Sequence, residues 1–148
     1  MTLSDGLPPY PYVPGATPRH PEGAFDAVRA TARAGMDADA LAASDAFQTG
    51  LRYLQAGYFW EAHEVLEPVW MACAPNSGAR AFVQALIQFA NARLKARMDR
   101  PAAAVRLCDL ALAHLAETAA PVILGQDVEP VRRALEDLKK SQIAQYNA

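Results

Sequence analysis

Apolar residues recur every three to four positions through most of this chain, and no segment alternates convincingly with period two. That pattern predicts an all-α protein. A short helix is expected over residues 24–34, closed by Gly35. Asp37 or Asp39 then caps a longer helix running to about residue 56, with Phe47, Leu51 and Leu54 as its buried face and Gly57 as its stop. The next helix spans about 59–73. It ends at the turn cluster Ala74-Pro75-Asn76-Ser77-Gly78, where Asn76 or Ser77 can cap the helix after it.

The helix expected over 79–98 is the most hydrophobic. Phe82, Leu86 and Phe89 form one stripe, and Val83, Ile87, Ala90 and Leu94 form its neighbour, so the helix should be packed on two sides. Gln84, Gln88, Asn91 and Lys95 make a narrow polar stripe along it. Asp99 is positioned to cap a helix that runs to about residue 117, with Pro101 in its first turn and Ala104, Leu107, Cys108, Ala111 and Leu115 buried. After a connection over 121–125, Asp127 caps a last helix reaching about Tyr146.

Gly50, Tyr53, Ala62 and Leu66 fall at the spacing of a tetratricopeptide helix pair, and Asn91, Leu94, Ala103 and Leu107 echo them. Two such pairs cannot make a solenoid. The expected fold is therefore a single bundle of five to six helices in antiparallel hairpins, weakly tetratricopeptide-like. Ahead of it, residues 7–21 hold six of the eleven prolines. Residues 1–23 are thus read as an extended Pro-rich arm and residues 24–148 as the helical domain. Tyr10, Tyr12 and Val13 give the arm apolar side chains with which to lie over the bundle or against a second subunit.

Composition narrows the function classes. The chain has 148 residues, 52% of them hydrophobic, which suits one domain with one core. A formal net charge of -2 with scattered basic residues argues against nucleic acid or an anionic membrane as partner. Cys73 and Cys108 read as buried free thiols of a reducing compartment, and the N-terminus lacks the pattern of a signal peptide, so a cytoplasmic protein is expected.

Candidate chemistry gathers on the third expected helix, 59–73. At about 100° per residue, Phe59, Ala62, Leu66, Val69, Trp70 and Cys73 share one face. His63 and Glu67 are neighbours at its border, while Glu61, Glu64 and Pro68 point the other way. Three readings of His63 and Glu67 stand side by side. The first is a structural pair at the edge of the core. The second is metal binding, since His63-Glu64-Val-Leu-Glu67 has the form H-E-x-x-E. That reading makes His63 and Glu67 ligands of a divalent metal and Glu64 a base, with His114, Asp109 or His20 as the further ligand. In the third, no cofactor is expected. His63 and Glu67 face Gln84, Gln88 and Asn91 across a polar pocket that binds a small molecule or performs acid–base work. Pro68 leaves the Glu64 carbonyl without its usual donor. Trp60 projects beside Glu64 and Glu67, as a contact residue would.

The string Gly57-Tyr-Phe-Trp-Glu-Ala-His-Glu-Val-Leu-Glu67, then Trp70, then Gln84-Ala-Leu-Ile-Gln88, resembles the signature of the domain of unknown function 309 family of small all-helical proteins. The resemblance covers about residues 44–117. It implies a compact helical bundle with no established activity, and its signature falls on Glu61, His63, Glu64, Glu67, Trp70 and Gln88. Two functions are expected from these residues. One is a pocket protein in which His63, Glu64 and Glu67 are catalytic and Glu61, Trp60, Gln84, Gln88 and Asn91 line the site. The other is a non-catalytic hairpin module whose tyrosines, Trp60 and arm bind another protein or a second copy of the chain.

Overall fold

Ser44 divides what the hydrophobic pattern reads as one helix. In the computed structural model, which describes residues 6–147, its backbone is extended and its hydroxyl accepts from the Phe47 N–H. The segment therefore forms α2 (Ala38–Ala43), capped by Asp37, and α3 (Asp45–Ala56). Before them, the helix expected over 24–34 is only the single turn α1 (Asp26–Arg29). It stops because the Thr31 hydroxyl is used as a bridge: it donates to the Val28 carbonyl and accepts the Ala46 N–H at the start of α3. The five to six expected helices thereby become seven among the described residues.

The remaining helices are α4 (Phe59–Ala72), α5 (Gly78–Arg97), α6 (Pro101–Ala116) and α7 (Val128–Tyr146). From α3 onward each helix packs on the next, and α1 lies against α3 and α4. The α3–α4 hairpin closes at Gly57, whose φ of 88° is the left-handed conformation that glycine adopts without penalty. The two helices meet at Gly50, where a Cβ would lie 2.4 Å from Leu66 Cδ2. That contact turns the face of α3 slightly from the expected one. Ala46, Phe47, Gly50 and Tyr53 are buried, whereas Leu51 and Leu54 are half-buried.

Helix α5 is central, as its pattern requires. Phe82, Val83, Ala85, Leu86, Ile87, Ala90, Ala92 and Leu94 are all buried, and each large side chain among them contributes about 1.5–3 kcal/mol by leaving water. Asp99 does not cap α6. It closes α5 instead, with φ 60°, while Arg100 N–H returns to the Lys95 carbonyl. Two residues of strand on each side, β1 (Val122–Ile123) and β2 (Gln126–Asp127), form a small antiparallel hairpin in the 121–125 connection. Leu124 and Gly125 both have positive φ, as a type I′ turn demands. The hairpin buries Ile123 against the bundle. No described helix is long and apolar enough to cross a membrane.

Residues 6–25 form neither helix nor strand and lie across α4. Val13 is buried against Phe59 and Leu94, and the Tyr58 hydroxyl donates to the Pro8 carbonyl at 2.9 Å. Phe59 is further enclosed by the guanidinium groups of Arg93 and Arg97, which stand over its ring.

Candidate functional site

Helix α4 carries five of the expected site residues, and Glu61 is the one whose environment differs most from expectation. It does point away from the bundle face of α4, but residues 6–25 roof that side, so its side chain is fully buried. Glu61 Oε2 accepts the Tyr12 N–H at 2.7 Å and lies 2.5 Å from His20 Nε2. Oε1 has no partner among the described residues. An isolated carboxylate buried this deeply would cost several kcal/mol, so the arm is what makes Glu61 tolerable. Its charge is felt nearby. Burial raises the Tyr53 hydroxyl above its ordinary range; Arg52 opposes this and Glu61 adds to it. Burial lowers Arg97, Arg93 adds to that, and Glu61 opposes it.

An aromatic cluster surrounds this pair. Tyr10 stacks on His20 with ring centroids 5.0 Å apart, and Tyr12 meets Trp60 edge-on at 5.2 Å and 88°. Phe25 stands edge-on to both His20, at 5.3 Å, and Trp60, at 6.0 Å. Trp60 is therefore not the freely exposed contact residue expected of it: the arm half-buries it.

His63, Glu64 and Glu67 stay together at the border of α4, and the group they meet is Arg29 of α1. Arg29 Nη2 donates to Glu67 Oε1 at 3.1 Å, and Nη1 donates to the Glu64 backbone carbonyl, the acceptor that Pro68 frees. Glu64 Oε2 is 3.9 Å from the same guanidinium. His63 Nδ1 is buried without a hydrogen bond, 3.8 Å from Glu64 Oε1. No described hydrogen bond joins His63 or Glu67 to Gln84, Gln88 or Asn91. Gln84 instead lines a cleft of about 540 Å³ with Trp70, Arg80 and His114, where Arg80 stacks over the Trp70 ring at 4.4 Å. Gln88 and Asn91 are half-buried on α5.

Among the described residues no group of three or more His, Cys, Asp or Glu side chains converges as a metal site. Each candidate for a further ligand beside His63 and Glu67 is engaged elsewhere. His20 contacts Glu61, His114 lies 3.4 Å from Glu117, and Asp109 lies 2.6 Å from Lys139. Cys73 and Cys108 are free and buried, and burial pushes the Cys108 thiol up to about 11, far from a reactive thiolate.

A cleft of about 890 Å³ lies between α4 and the chain before it. Trp60 and Glu64 form its floor, and Tyr12, His20, Phe25 and Arg29 are among its other walls. Sequence reasoning raises His20 only as a candidate further metal ligand and does not single out Arg29. Pro68 carries the one available signal, a carbonyl in need of a donor, but Arg19, Arg29 and Arg33 all precede it and spacing cannot choose among them.

Neither the curated proteins nor the solved structures contain a match to the chain. Residues 47–107 match the model of the domain of unknown function DUF309; this segment runs from α3 into α6 and includes the floor of the cleft.

Proposed function

We propose that the chain binds a small molecule in the cleft between α4 and residues 12–29. The observation that carries this reading is the cleft itself. Its volume of about 890 Å³ lies within the roughly 300–1,000 Å³ typical of ligand sites, and aromatic walls with a few placed polar groups are their usual lining. On this reading the polar pocket lies between α4 and residues 12–29 rather than between α4 and α5. It keeps Trp60 and Glu64 and exchanges the amide stripe of α5 for His20 and Arg29. Binding is favoured over acid–base catalysis because Glu67 and the Glu64 carbonyl are already held by Arg29. A protein-docking role would draw on the tyrosines and Trp60. Tyr12 and Trp60 pack on each other, Tyr10 on His20, and the Tyr58 hydroxyl is bonded to Pro8, which weighs toward the cleft.

Trp60 and Trp70 are the chain's two indoles, so a Trp70→Phe protein reports on Trp60 alone. Screening a metabolite-like library against it should return compounds that shift both Trp60 emission and the thermal midpoint. The reading fails if no compound moves Trp60, or if every hit acts unchanged on a Trp60→Ala protein.

A further inference from the structure

We propose that the aromatic surface at the start of α4, beneath residues 7–14, is a docking groove for a proline-rich segment of a partner protein, and that the chain's own arm holds it in cis. This goes beyond the cleft reading and does not depend on it.

The arm displays how the groove grips a segment. Pro8, Pro11 and Pro14 recur every three residues, the period of a polyproline II turn, and all three are half-buried, whereas Pro9 and Pro18 are exposed. The described hydrogen bonds between residues 7–12 and the bundle use the arm's backbone. The Tyr58 hydroxyl donates to the Pro8 carbonyl at 2.9 Å, and the Tyr12 N–H donates to Glu61 Oε2 at 2.7 Å. Side chains add an anchor at each end: Leu7 packs on the cluster around Tyr53, and Val13 is buried against Phe59 and Leu94. Between them Tyr12 meets the Trp60 ring edge-on. Proline-rich segments are recognised in this way, on an aromatic floor with donors aimed at their free carbonyls, because they are stiff beforehand and lose little entropy on docking.

Groove and occupant come from different parts of the chain. Tyr53, Tyr58, Phe59, Trp60, Glu61 and Leu94 all lie within residues 47–107, the segment that matches DUF309, and residues 7–14 lie before it. Holds on a backbone carbonyl, a backbone N–H and one branched apolar side chain do not require the segment to be joined to the bundle. Another chain with the pattern P-x-x-P-x-V-P, which Pro8 to Pro14 spell here, can make the same ones. The tethered arm sets a threshold for it. Its effective concentration is on the order of mM, so a partner displaces it by gripping the groove more tightly than the arm does.

The test uses the full chain and a fluorescein-labelled peptide of residues 7–20, read by anisotropy. Val13→Asp in the chain should loosen its own arm and raise its affinity for the peptide at least about tenfold over the unchanged protein, with the far-UV circular dichroism preserved. The same peptide carrying Pro8→Ala, Pro11→Ala and Pro14→Ala should bind the loosened chain about tenfold more weakly. Adding Tyr58→Phe to the loosened chain should weaken the original peptide several-fold. If Val13→Asp costs helical signal, Val13→Ala takes its place, with a smaller gain of the same sign. Equal binding to the loosened and unchanged chains overturns the groove. Equal binding of the alanine peptide overturns its preference for proline-rich segments, and unchanged affinity after Tyr58→Phe removes the hydroxyl from its floor.

Discussion

The contact between His20 and Glu61 joins residues 41 positions apart and excludes both side chains from water. Arg132, by contrast, reaches Glu129 and Glu136 along one exposed face of α7. The α7 contacts are the kind a sequence displays openly, at spacings of three and four on a helix, and they are worth little because water screens them and the side chains must be ordered to form them. The His20–Glu61 contact is invisible in the sequence. Yet it decides where twenty residues of chain lie, because a buried carboxylate has few alternatives to the donors that reach it.

Three substitutions put that contrast at risk. Glu61→Ala should have the largest effect, a loss of about 3 kcal/mol, since it leaves the Tyr12 N–H and the His20 imidazole unpaired beneath the arm. Urea unfolding would measure it, and Trp60 emission should shift to the red as the roof loosens. A loss no larger than that of an average surface substitution would show that the pair merely accompanies the arm. Arg29→Met lies between the two extremes, because Arg29 is only partly exposed and serves a backbone acceptor as well as a carboxylate. It should lower stability by about 1–2 kcal/mol, with hydrogen exchange rising first in α1. Arg132→Gln should leave the unfolding midpoint unchanged within error, despite removing contacts to two glutamates.

The same contrast explains what could be read in advance. Helix α5 was legible because apolar residues cover most of its circumference, a statement about composition that needs no partner. The α3–α4 hairpin was legible because Gly50 and Leu66 must meet where it folds. Ser44 carried its own capping signal, but it sits in a run of good helix formers, so propensity and capping pointed different ways. Glu61 was misjudged for another reason. A helical wheel separates bundle from not-bundle and treats everything beyond as water, whereas here a second layer of chain lies outside. Gln84, Gln88 and Asn91 lie half-buried along α5, but which neighbour each amide meets depends on tilts and offsets that periodicity does not encode.

Pro68 has a consequence in time. The carbonyl it frees is the acceptor of Arg29, and that acceptor exists only once α4 has wound around it. Glu61 likewise receives Tyr12 and His20 only after the helix has set its direction. The turn α1 is four residues long and cannot hold itself together beforehand. Residues 8–29 are synthesised ahead of everything they contact on α4, so we infer that they must wait for it, and that the fold closes in the reverse of the order in which these two parts are made. In refolding, the Trp60 signal should lag the helical signal; simultaneous changes would contradict that order.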